Sequence, residues 1–200
     1  MLPPGLSFNV VSERALAATE QATLPRAYFD WQPVLKANEE GMFPYTPPTN
    51  LLFGLKVALN LLFQEGLEHV FARHRRHGTA ARAAVEAWGL TLQCVVPKAA
   101  SPTVTAVRVP DGHREQEVRA IAHDSYALAL GAGLGPLAGT VFRIGHLGDF
   151  DDLSLIATLA GIELALGRST IEHSVGGVQA ALAALARWED SLSGATTVAQ

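Results

Sequence analysis

Residues 133–149 read Gly133-Leu-Gly-Pro-Leu-Ala-Gly-Thr-Val-Phe-Arg-Ile-Gly-His-Leu-Gly-Asp149. Five glycines, one arginine, one histidine and one aspartate fall within these seventeen residues. Val141, Phe142 and Ile144 mark a short buried strand, and Arg143 is the charge inside it. Burying a guanidinium without a partner costs several kcal/mol, so this arginine is expected to meet an anion. Its planar fork suits a carboxylate or phosphate held by two parallel hydrogen bonds. Two readings follow from the residues alone: a site for a small acid, or a structural ion pair with a nearby carboxylate.

The surrounding composition narrows the partners. Apolar residues make up 48% of the 200 and charged residues 17%, a core-rich globular balance. That length suffices to bury roughly 70% of the unfolded surface. Fifteen basic against nineteen acidic side chains give a net charge of −4, which argues against nucleic acid as a partner. No apolar run approaches the roughly 18 residues of a membrane span, and the first residues lack the basic start of a signal peptide. The one cysteine, Cys94, excludes an internal disulfide and suits a reducing cytoplasm. On the strand-like run Leu90, Leu92, Cys94, Val96 it reads as a core filler.

Working outward, the alternation of Leu6, Phe8 and Val10 with Ser7 and Asn9 predicts a strand over 6–11. Ser12 then caps a helix to about Gln21. Pro25 to Pro33, with Tyr28, Phe29 and Trp31, is expected to be extended and packed, and a short helix from Val34 to end at Gly41. Three prolines forbid a helix over Phe43-Pro-Tyr-Thr-Pro-Pro-Thr49. Leu51, Leu55, Leu59, Leu62 and Phe63 recur at helical spacing. Gly66 separates that helix from a long one whose face carries Leu67, Val70, Phe71, His74, Ala81, Val85 and Trp88, ending at Gly89. This long helix is expected to connect two domains.

After Gly89 the order changes to strands over 90–96 and 103–109, a helix near 114–125, and strands over 126–130 and 141–144. Asp149 is expected to cap a helix running to Gly167, and an alanine-rich helix carrying Ile171, Val175, Val178, Leu182 and Leu185 follows. The ββαββαα order implies an α/β domain with a small, largely antiparallel sheet covered by helices. The tail from Ser193 is expected to fray.

Other chemistry weighs less. Gly131-Ala-Gly133-Leu-Gly135 has Pro136 where a dinucleotide loop needs its third glycine, and a strand follows where a helix should. His69, Arg73, His74, Arg75, Arg76 and His77 read as a solvated basic helix face rather than a metal site. His146 orients a ligand or Asp149, or caps the loop; both options stand. No nucleophile–base pair is legible from spacing.

The segment from Gly131 to Asp149 is similar to the C-terminal substrate-binding segment of class V aminotransferases, in the serine–glyoxylate and alanine–glyoxylate branch. Leu2-Pro-Pro-Gly-Leu-Ser-Phe8 and Phe43-Pro-Tyr-Thr-Pro-Pro48 resemble two further segments of that family, in the same order. The resemblance implies fold type I, dependence on pyridoxal 5′-phosphate, and a cytoplasmic homodimer with active sites at the subunit interface. Residues 1–65 would be the remnant of the large cofactor-binding domain, 66–89 the connecting helix and 90–200 the small domain. Arg143 would pair with the α-carboxylate of the amino-acid or 2-oxo-acid substrate. Thr46 would reach the phosphate of a cofactor held mainly by the other subunit.

The sequence departs from the family at two places. Phe43 stands where relatives often have a tyrosine, so Tyr45 is the candidate for the second phosphate contact. The lysine that carries the cofactor as a Schiff base precedes Leu-Pro-Pro-Gly in the family; here Lys36, Lys56 and Lys98 are the only lysines, and none has that context. No catalytic residue is therefore assigned, and little turnover is expected from this chain by itself. A degenerate or dimerisation fragment and an independent carboxylate-binding regulatory domain are the alternatives. Strand 6–11 would lack neighbours, leaving apolar surface exposed and solubility poor.

Overall fold

The computed structural model describes the backbone of residues 1–196 and the side chains of residues 1–188. Residues 193–196 of the tail expected to fray lie in a helix, and the rest of it lies outside the described residues. The chain divides into two compact units, residues 1–64 and 65–200.

The first unit is helical. α1 (Glu13–Gln21) starts at Ser12, whose hydroxyl accepts from the Ala15 N–H at 3.3 Å. α2 (Trp31–Glu39) starts three residues earlier than the sequence suggested, because Asp30 caps it by accepting from the Gln32 N–H at 3.2 Å. Pro33 falls in its first turn, where no backbone N–H is needed. The aromatic stretch before α2 is turned and exposed, not extended and packed, although Tyr28 keeps ring contacts with Phe29 and Tyr45. α3 (Thr49–Glu65) begins directly after the prolines, and its last residue opens the second unit.

Residues 6–11 are not a strand. A strand needs a hydrogen-bonded neighbour, and none pairs with this segment among the described residues. Phe8 is 72% exposed as a result. The preceding Leu2-Pro-Pro-Gly5 lies against α3: a Cβ on Gly54 would stand 2.7 Å from Leu2 Cδ1, and one on Gly5 2.7 Å from Leu51 Cδ1.

The second unit holds α4 (Leu67–Ala87), β1 (Thr91–Leu92), β2 (Val104–Arg108), α5 (Glu115–Tyr126), β3 (Gly131–Ala132), β4 (Val141–Gly145), α6 (Asp152–Leu166) and α7 (Gly177–Thr196). Gly66 precedes α4 with φ 86°, a conformation that stops α3 cleanly and that side chains resist. The four strands form one antiparallel sheet in the order β1-β2-β4-β3. Thr105 and Val107 of β2 and Phe142 and Ile144 of β4 are buried on the helix-covered face. They join Val85, Trp88, Val118, Leu155, Leu159 and Ile162 in the core. Each large apolar side chain buried this fully contributes about 1.5–3 kcal/mol.

Several elements differ from expectation for local reasons. β1 is two residues long, because the chain leaves the sheet for a 3₁₀ turn at Pro97–Ala99. Cys94 is therefore exposed, not a core filler. No strand covers 126–130: Tyr126 ends α5, Ala127 takes the left-handed conformation (φ 51°) as its C-cap, and β3 starts at Gly131. α6 is capped by Asp151, which accepts from the Ser154 N–H at 2.7 Å; Asp149 is exposed and outside the helix. Ile171 and Val175 precede α7 instead of lying on it. No helix among the described residues is long and apolar enough to cross a membrane.

Candidate active site

β4 presents its side chains alternately. Phe142 and Ile144 enter the core, and Arg143 points to the opposite face, half-buried. In register, Arg143 stands between Ala106 of β2 and Gly131 of β3. Its Nε donates to the Ala132 carbonyl at 2.8 Å. No carboxylate pairs with it among the described residues, and no hydrogen bond engages its two terminal nitrogens. Among the described residues no structural ion pair forms there, which leaves two adjacent charged donors unengaged. The Gly131–Gly135 segment turns through a 3₁₀ element at Gly135–Leu137 into β4, with no helix N-terminus for a dinucleotide phosphate.

His146 goes elsewhere. It follows β4 on the core side, is 0% exposed, and its Nε2 lies 2.9 Å from Thr105 Oγ1. It touches neither Asp149 nor the Arg143 face. Burial pushes its pKa down to about 4, and the nearby His77 and Arg82 add to the shift.

The basic stretch of α4 is solvated only in part: His69 and Arg75 are exposed, whereas Arg73, His74, Arg76 and His77 turn inward. His74 and His77 are buried. Arg73 donates to both Glu65 oxygens at 2.6 and 2.7 Å and to the carbonyls of Gly148 and Phe150, each at 2.9 Å. His74 Nε2 accepts the Gly148 N–H at 3.1 Å. Arg76 grips Asp152 with two bonds of 2.7 and 2.8 Å, and His77 Nε2 lies 2.9 Å from the same carboxylate. Burial lowers the His77 pKa despite that partner. α4 therefore clamps the loop that joins β4 to α6. The (i, i+3, i+4) grouping of Arg73, Arg76 and His77 was the sequence signal for one working face, but its target loop lies about 75 residues away. No cluster of three or more potential metal ligands occurs among the described residues.

In the first unit, Thr46 and Tyr45 sit on the proline-stiffened loop before α3, both exposed. No hydrogen bond among the described residues engages either hydroxyl, and the Tyr45 ring rests 5.2 Å from that of Tyr28. Lys36, Lys56 and Lys98 are all exposed. A recess of about 240 Å³, lined by residues including Leu90, Thr91, Arg108 and Asp111, lies beside β1 and does not include Arg143.

The sequence is 48% identical over 187 residues to serine–glyoxylate aminotransferase of Methylorubrum extorquens, covering 90% of this chain and 46% of that enzyme. It is 47% identical over 166 residues to the serine–glyoxylate aminotransferase of Arabidopsis thaliana, covering 82% of this chain and 41% of that one. The crystal structure of pyridoxamine–pyruvate aminotransferase from Mesorhizobium loti matches with a TM-score of 0.77 at 37% identity, over 88% of this chain and 46% of that one. The chain belongs to the class V aminotransferases. No protein-family model matches it. It spans about half the length of these relatives.

Class V aminotransferases of this fold depend on pyridoxal 5′-phosphate. The residues present fit parts of that chemistry: two unengaged hydroxyls on a rigid loop suit a phosphate, and Arg143 suits a carboxylate. The exposed lysines do not resemble a base held in a cleft.

Proposed function

We propose that this chain serves amino-group transfer from an amino acid such as serine or alanine to a 2-oxo acid such as glyoxylate. The observation that carries the reading is Arg143: a strand guanidinium anchored through Nε, with no hydrogen bond to its two terminal nitrogens and no carboxylate opposite among the described residues. The terminal pair binds the substrate α-carboxylate, neutralises it, and fixes the direction of Cα. Thr46 Oγ1 and Tyr45 Oη donate to the phosphate of the cofactor, which supplies an electron sink for Cα–H cleavage when bound. The family points to a homodimer in the cytoplasm whose second copy holds most of that cofactor. Residues 1–65 act as part of the large domain, 66–89 as the connecting helix and 90–200 as the small domain.

No residue of this chain is assigned the proton transfer at Cα. With Lys36, Lys56 and Lys98 exposed, the 200 residues alone are expected to turn over little. The same exposure favours a second reading, a non-catalytic product that pairs with longer subunits.

The test is an exchange: this chain replaces the matching stretch of the Methylorubrum enzyme. The expected result is serine–glyoxylate transamination, with Arg143→Ala raising KM for serine about 10–100-fold, the loss of a charge-assisted pair of about 1.5–3 kcal/mol. A folded, cofactor-loaded chimera whose KM ignores Arg143→Ala overturns the assignment. One that is folded but inactive favours the second reading.

A further inference from the structure

We infer that Gly131, acting with the Ala132 carbonyl, is a positioning residue that sets how Arg143 can hold a carboxylate; this rests on the reading of Arg143 given above. A guanidinium offers a carboxylate two bidentate edges, one made by its two terminal nitrogens and one by Nε with a single terminal nitrogen. In this protein Nε is already used, donating to the Ala132 carbonyl at 2.8 Å. The side edge is closed, and the end-on edge alone remains.

That anchor depends on the absence of a side chain at position 131. Gly131 is the register partner of Arg143 on the neighbouring strand. A Cβ there would stand 3.1 Å from Arg143 Nε, 3.2 Å from its Cβ and 3.3 Å from one terminal nitrogen. Contacts this close along the whole arginine cannot be relieved by moving its tip alone. The side chain has to lift away from β3, stretching the Nε bond and swinging the terminal pair off its line. On the other flank the register partner is Ala106, whose side chain is a single methyl. Gly131 thus stands for end-on geometry. Gly145, two residues along β4 on the same face, is the natural control, because a Cβ there meets only Leu147 Cδ2 at 3.8 Å.

The test uses this 200-residue chain, labelled at the arginine side chains for ¹⁵N NMR. The probe is glycolate, a small carboxylate that does not react with amines. In the wild type, the Arg143 Nε–H should exchange with water at least about 10-fold more slowly than those of exposed arginines, because a carbonyl holds it. Glycolate should shift the terminal nitrogens of Arg143 and leave its Nε–H in place. Gly131→Ala should abolish the slow exchange and weaken glycolate binding about 10-fold or more, whereas Gly145→Ala should change neither. In an Arg143→Lys background, which has no Nε to anchor, Gly131→Ala should have no further effect. Fast wild-type exchange, or unaltered exchange and affinity in Gly131→Ala, overturns the inference. If Gly131→Ala does not fold, the wild-type exchange rate decides. Slow exchange released by Gly131→Ala, with no response to glycolate, supports the anchor and sinks the carboxylate reading instead.

Discussion

Acid should destabilise the second unit through His146, beginning at a pH where most carboxylates are still charged. The imidazole is fully buried and bonded to Thr105 Oγ1 through Nε2, and no described residue hydrogen-bonds its Nδ1. Burial, reinforced by His77 and Arg82, lowers its pKa from 6.5 to about 4. Between these values the unfolded chain binds a proton that the folded chain does not. The stability tied to neutral His146 is therefore complete above pH 6.5 and is lost as pH falls toward 4. From pH 7.5 to 4.5 the loss amounts to roughly 2–3 kcal/mol. Carboxylates and His77 also titrate, so the assay compares urea unfolding of the wild type with His146→Gln, whose amide keeps a partner for Thr105 but carries no proton equilibrium. The wild-type advantage over the variant should shrink by roughly 2–3 kcal/mol across that range. Two stability curves that stay parallel within about 0.5 kcal/mol would refute the reasoning.

Three further outcomes follow from named contacts. Glu163 accepts from Trp88 Nε1 at 2.8 Å and from the Gly176 and Val178 N–H groups at 3.1 Å, and although burial pushes its pKa up, these donors hold it below the ordinary value. Glu163→Gln should cost about 1–3 kcal/mol at pH 7 and progressively less as pH falls through the carboxylate range, read by denaturant midpoint. A Cβ on Gly177 would overlap the Trp88 indole, so Gly177→Ala should lower stability by about 1–3 kcal/mol and shift Trp88 fluorescence; an unchanged emission would contradict the packing. Arg73→Met should release the loop at Gly148 and Phe150 at a cost of about 2–4 kcal/mol, seen as faster amide exchange at Gly148, while α7 amides keep their rates.

Much of the fold was legible because its signals are local. The apolar run around Arg143 gives β4, the 3.6-residue stripe ending in Trp88 gives α4, and Ser12 gives the start of α1. What stayed hidden depends on partners distant in sequence. Leu6–Val11 alternates like a strand yet has no neighbour to pair with. Cys94 alternates with apolar residues, but the sheet ends at Leu92. Asp149 and Asp151 are equally good caps by residue type; Arg73 and His74 hold the chain at Gly148 and Phe150, which delays the helix to Asp152. His146 sits on the opposite side of the sheet from Arg143 because its position keeps the parity of Phe142 and Ile144. Arg143 was singled out by chemistry, since a charge inside a buried run demands an explanation, while its substrate role comes from the family resemblance. That its Nε is taken by Ala132 follows only from the register of β3 with β4.

A crystal structure of this chain with glycolate is the most direct test of the central claim. The account predicts one carboxylate oxygen on each terminal nitrogen of Arg143, at about 2.7–2.9 Å, with Nε still on the Ala132 carbonyl. Glycolate bound elsewhere, with Arg143 turned to solvent or paired to a protein carboxylate, would contradict it.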